Sequence, residues 1–114
     1  MHVDGHIDYL EMPALGLPAT KAFYEQAFGW RFIDYGPDYA SFQEAGLDGG
    51  FYADAAEAVS KPLPVLYAHD LEAMEAKVRA AGAAIVRSIF SFPGGRRFHF
   101  TDPSGNELAV WSET

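Results

Sequence analysis

Residues 98–111 read FHFTDPSGNELAVW, two short apolar runs joined by a turn. In Asp102-Pro103-Ser104-Gly105-Asn106, Pro103 presets φ at about −65° for the second position of a β-turn, and Gly105 or Asn106 can take the positive φ needed to leave it. The stretch is therefore a hairpin. On the incoming strand Phe98 and Phe100 point one way, and Arg97, His99 and Thr101 the other. On the outgoing strand Leu108 and Val110 oppose Glu107, Ala109 and Trp111. One face suits a core, and the other lines a pocket.

Working upstream, residues 84–92 form a long β-prone run that Pro93-Gly94-Gly95 turns into the hairpin. Gly94-Gly95-Arg96-Arg97 lacks the following helix and spacing of a phosphate loop, so it reads as a hairpin turn with exposed arginines. Asp70 stands where an N-cap belongs, ahead of a helix ended by Gly82. Leu71, Met74, Val78 and Ala81 give that helix a buried stripe, with Lys77 and Arg79 late, as the helix dipole prefers. Residues 65–68 before it read as a short buried strand.

The first half repeats the order. Residues 7–12 alternate as a strand, with Ile7, Tyr9 and Glu11 on one face and Asp8, Leu10 and Met12 on the other. Pro18 opens a helix in which Ala19, Ala22, Phe23, Gln26 and Ala27 recur at helical spacing, Lys21 and Glu25 fall outside, and Gly29 is the stop. Residues 30–35 and 39–44 read as strands across a Gly36-Pro37-Asp38 turn, and residues 47–52 as a weaker strand, bulged at Gly49-Gly50. Phe23, Phe28, Trp30, Phe98 and Phe100 are expected in the core. The expected layout is a single domain over 1–114, with module 1 at about 5–53, a connector at about 54–62 holding at most one helical turn, and module 2 at about 63–114. The two helices start about half a chain length apart, an echo that supports duplication.

At 114 residues and 49% hydrophobic, the chain can bury one real core. Sixteen acidic against eight basic residues give a formal charge of −8. That argues against nucleic acid or an anionic membrane as partner and favours a neutral or cationic small-molecule ligand. Without cysteine there are no disulfides, thiolate metal sites or cysteine nucleophiles. The N-terminus lacks a signal-peptide pattern and no apolar run approaches a membrane span, so a cytoplasmic location is expected.

Residues 9–13 (YLEMP), 22–30 (AFYEQAFGW), the helix from Asp70 to Gly82 and residues 100–108 (FTDPSGNEL) together resemble the vicinal oxygen chelate superfamily. That group includes glyoxalase I, bleomycin-resistance proteins, fosfomycin-resistance enzymes and extradiol dioxygenases. The resemblance implies an α+β fold of two βαβββ modules, whose curved mixed sheets form a cleft with the helices outside. It also implies a homodimer, often with modules exchanged or shared. In the family's metal enzymes three strand positions bind one divalent ion. By the resemblance these fall on Tyr9, on Leu63 or a near neighbour, and on Ala109, and a further first-half position falls near Gly50 or Phe51. None is a good ligand, so no cofactor is expected, with a divalent metal at a relocated site as the lesser alternative.

The polar candidates on pocket-lining faces are Glu11, His99 and Glu107. The resemblance gives the His99 position a substrate contact in related antibiotic-resistance enzymes, and imidazole is an acid, base or donor near neutral pH; the plain alternative is a cross-strand hydrogen bond. Glu11 and Glu107 could pair so that repulsion raises one pKa, or be solvated or paired with Arg96 or Arg97. Tyr9, Tyr67 and Trp111 offer stacking surfaces with polar tips, although in a chain 15% aromatic most rings serve packing. The expected ligand-binding set is Tyr9, Glu11, Tyr67, Arg97, His99, Glu107 and Trp111. His2 and His6 are expected exposed on a mobile terminus, and His69 at a strand end. The residues point first to a small-molecule binding protein without the usual metal. Second comes an enzyme, a lyase, isomerase or dioxygenase-like member, using His99, Glu107 and Glu11 as acid and base or as a relocated metal site.

Overall fold

The structure, a computed structural model, describes residues 2–53 and 61–114. Most of the connector expected at 54–62 thus lies outside the described residues. The element order is β1 (Ile7–Pro13), α1 (Leu17–Phe28), β2 (Arg31–Asp34), β3 (Tyr39–Gln43), β4 (Gly49–Tyr52), then β5 (Leu63–Tyr67), α2 (Leu71–Ala80), β6 (Ala84–Phe92), β7 (Gly95–Thr101) and β8 (Glu107–Ser112). The same βαβββ order thus occurs twice, and the fold is α+β. The chain divides into two compact units, Tyr9–Leu63, and Pro64–Thr114 together with Met1–Asp8.

In the unit Tyr9–Leu63 the strands run in the order β2-β3-β4-β1, with β1 parallel to β4 and the other pairs antiparallel. Leu17, Ala40, Phe42 and Phe51 form its buried cluster, joined by Leu10, Met12, Tyr24, Trp30 and Phe32. Phe23 and Phe28, expected in this core, are 57% and 63% exposed. Leu17, Thr20, Lys21 and Tyr24 are instead the less exposed residues of α1, and the expected stripe of Ala19, Ala22, Phe23, Gln26 and Ala27 faces outward. Alanine tolerates either side of a helix, so those positions do not set its rotational phase. Lys21, expected outside, donates to Asp34 of β2 at 2.7 Å.

β4 is shorter than expected and carries no bulge, its register running unbroken through both glycines. A side chain at Gly49 would meet the Leu10 carbonyl and the Phe42 ring, and one at Gly50 the Tyr39 hydroxyl. The glycines are there so that neighbouring backbone and rings can approach this closely.

In the other unit the order is β5-β8-β7-β6, with β5 parallel to β8 and the rest antiparallel. Asp70 caps α2 by accepting from the Ala73 amide at 3.0 Å. Ala68, Leu71, Phe98 and Val110 are its buried cluster, with Leu66, Met74, Val78, Ile85, Ile89 and Phe100 packed against it. Ala81, expected in the buried stripe, is the exposed C-cap, since α2 stops at Ala80. The Asp102 carboxylate closes the β7–β8 turn by accepting from the Ser104 and Asn106 amides, both at 2.9 Å. α2 contacts the Phe98 and Val110 face of this sheet, so the alternate residues of β7 and β8 occupy the face away from that cluster.

Candidate functional site

The β7–β8 register sets Arg97 against Trp111, His99 against Ala109 and Thr101 against Glu107. The contact between His99 and Glu107 is therefore diagonal: Ala109 is opposite His99, and being small it leaves room for the imidazole to reach along the strand. His99 Nδ1 and Glu107 Oε2 are 2.8 Å apart. A carboxylate only accepts, so Nδ1 carries the proton and Nε2 of the neutral ring is a bare lone pair.

His99 is 3% exposed, and its Nε2 has no hydrogen-bond partner among the described residues. Burial pushes its pKa below 6.5, against the pull of Glu107, and the nearby Arg97 and Arg87 charges add to the lowering. The imidazole is thus held neutral at neutral pH.

β6 completes the surroundings. Its pairing with β7 shifts register between Ile85 and Arg87 and again between Arg87 and Phe90. Those irregularities bring Phe90, whose ring centre is 5.7 Å from that of His99, onto the His99 face. The Arg87 guanidinium lies 3.6 Å above the Phe90 ring centre, and that of Arg97 is 5.6 Å from the centres of both Phe90 and Phe92. Phe92 in turn approaches Trp111 at 6.3 Å. Alternation in residues 84–92 could have marked Phe90 and Phe92, but two register shifts in one strand are invisible to a period-two reading.

Beyond Trp111 the face is closed by the chain's own start. Trp111 Nε1 donates to Asp8 at 2.9 Å, and His2, 2.9 Å from Asp8, stacks on Tyr67 with ring centres 4.6 Å apart. Tyr67 is 2% exposed and donates its hydroxyl to Glu113 at 2.9 Å. Burial and the Glu113 carboxylate raise the phenol above its ordinary pKa. His2, expected free on a mobile terminus, is half-buried because Asp8 and Tyr67 hold it; His6 is exposed, as expected. His69 follows β5 and meets Asp4 at 2.6 Å. Arg96, expected exposed, is half-buried and forms a two-pronged pair with Glu72 at 2.5 and 3.1 Å.

Arg97, His99, Glu107, Trp111 and Tyr67 belong to one unit, and Tyr9 and Glu11 to the other, where Tyr9 is half-buried and Glu11 is 3% exposed. The family's metal positions do not fit an ion. Leu63 and Ala109 are buried apolar residues without a donor atom, which leaves only Tyr9. Among the described residues no group of three or more His, Asp or Glu side chains could hold a metal ion, and none of their helices is long and apolar enough to cross a membrane.

Solved structures resemble the chain at low sequence identity, which speaks to the fold alone. NAD-dependent benzaldehyde dehydrogenase from Legionella pneumophila matches with a TM-score of 0.75 at 14% identity, over 91% of this chain and 96% of that one. Methylmalonyl-CoA epimerase from Mycobacterium tuberculosis gives 0.72 at 14% identity, over 98% and 90%. Mn(II)-bound glyoxalase from Novosphingobium aromaticivorans gives 0.68 at 22% identity, over 99% of this chain but 40% of that one. No curated protein matches in sequence. The family model of the Glyoxalase/Bleomycin resistance protein/Dioxygenase superfamily matches residues 6–110, so the chain belongs to that superfamily.

Proposed function

We propose that the protein binds a small organic molecule on the His99 face of β6, β7 and β8, without the metal typical of its superfamily. The molecule donates an O–H or N–H to His99 Nε2 and lies against Phe90 and Phe92. The buried, unpartnered Nε2 carries this reading. Leaving a buried polar atom unsatisfied costs about 1–3 kcal/mol, and a ligand donor removes that cost. Glu107 fixes the tautomer, so the acceptor is in place before the ligand arrives. The fit of metal positions to Leu63 and Ala109 supports the metal-free part.

The imidazole nitrogens of ¹⁵N-labelled protein, purified without chelator, report on it directly. Phenol and aniline are expected to shift the His99 Nε2 resonance, and anisole and N,N-dimethylaniline, which lack the donor, to leave it in place. Equal responses to donors and methylated analogues would sink the reading, as would stoichiometric metal in the same sample bound through His99.

A second reading is favoured by the His99–Glu107 pair itself, because a neutral imidazole oriented by a carboxylate is built to take a proton. A small ketone incubated in D₂O would then gain deuterium beside its carbonyl, and H99Q would abolish the gain. Absence of exchange with a ketone that demonstrably binds removes the enzyme reading.

A further inference from the structure

Given that the His99 face is a ligand site, we propose that its ligand is an anion: a planar carboxylic acid bearing a hydroxyl, its carboxylate held by Arg87 and Arg97 while the hydroxyl donates to His99 Nε2. The whole-chain charge of −8 favours neutral or cationic ligands, but a site answers to its local field. Two guanidinium groups share the Phe90 ring, one at 3.6 Å and one at 5.6 Å, although like charges repel. Arg97 lies two residues before His99 on β7 itself, and Arg87 lies directly across from His99 in the β6–β7 register.

The carboxylates on this face with known contacts are already engaged, Glu107 by His99, and Asp8 by Trp111 and His2. The arginines also have contacts of their own. The proposal does not need them idle, because each guanidinium offers five N–H donors in a planar fork and a carboxylate takes two. A planar ligand also matches the lining, since it can lie on Phe92 while its charged end meets the guanidinium edges. His99, kept neutral by burial and by those same arginines, supplies the acceptor that a hydroxyl needs and a second carboxylate would not.

The test compares 3-hydroxybenzoate, 3-hydroxybenzamide, benzoate and phenol by calorimetry and by the His99 Nε2 resonance at pH 7.5. We expect 3-hydroxybenzoate to bind at least about tenfold more tightly than its amide, the effect of one charge-assisted hydrogen bond. That advantage should shrink with added salt and vanish in R87Q and R97Q, whose folding is checked by their backbone amide NMR spectra. If phenol and the amide shift Nε2 and the carboxylate brings no advantage, the anion proposal is overturned and the ligand face stands. If none of the four binds or shifts Nε2, both readings fall.

Discussion

Glu107 fixes the proton of His99 on Nδ1, and burial keeps a second proton off Nε2. The charged groups facing it are Glu107 from β8, Arg97 from β7 and Arg87 from β6; the carboxylate raises its pKa, and the two cations, with burial, lower it. Because the net direction is down from 6.5, the unfolded chain takes up a proton at a higher pH than the folded one. The contribution to stability is therefore complete above 6.5 and is lost as pH falls from there through the folded value. Urea unfolding of wild type and H99Q between pH 8 and 5 should show a loss of stability in the wild type that H99Q lacks, the other histidines cancelling in the difference. A His99 imidazole that titrates at or above 6.5 by NMR would refute this. That His99 and Glu107 share a face was legible from alternation alone. The tautomer was not, because it depends on a diagonal contact that only the register fixes.

At the scale of elements, legibility followed chemistry that acts locally. Asp70 could be read as a cap and residues 102–106 as a turn, because the side chain and the backbone groups it satisfies lie within four residues of each other. The phase of α1 was hidden by its alanines, and Phe23 and Phe28 were misplaced with it. In β4 the glycines argued against a strand by propensity, yet they are what the sheet requires where the Leu10 carbonyl and Phe42 ring crowd Gly49. Gly49→Ala must push the β1 backbone or the Phe42 ring aside, and overpacking of this sort costs about 1–3 kcal/mol. Denaturant unfolding should show that loss. Gly16→Ala, where an added Cβ meets nothing within 4 Å, should change stability by far less. Equal effects at the two glycines would mean that backbone entropy, not crowding, explains Gly49.

For the whole molecule, the repeated βαβββ order and its motifs were legible, whereas closure of the Trp111 end was not, since Asp8 and Trp111 are 103 residues apart in sequence. Composition speaks most directly at this scale. Sixteen acids face eight bases. Lys21–Asp34, Arg31–Glu44, Arg79–Glu75 and Arg96–Glu72 engage several of the bases in pairs that each have at least one exposed partner, and such pairs add little to stability. The excess of carboxylates over bases repels itself in the folded state more than in the expanded unfolded chain. Raising ionic strength shortens the screening length from about 30 Å at 0.01 M to about 8 Å at 0.15 M. At pH 7.5 sodium chloride should therefore raise the melting temperature over that range. Near the sequence isoelectric point of 4.7 the net repulsion is gone, and salt then screens only the attractive pairs. There the same addition should leave the midpoint flat or lower it, and calorimetry at the two pH values reads the sign. A midpoint that falls with salt at pH 7.5 would mean that the attractive pairs outweigh the net charge.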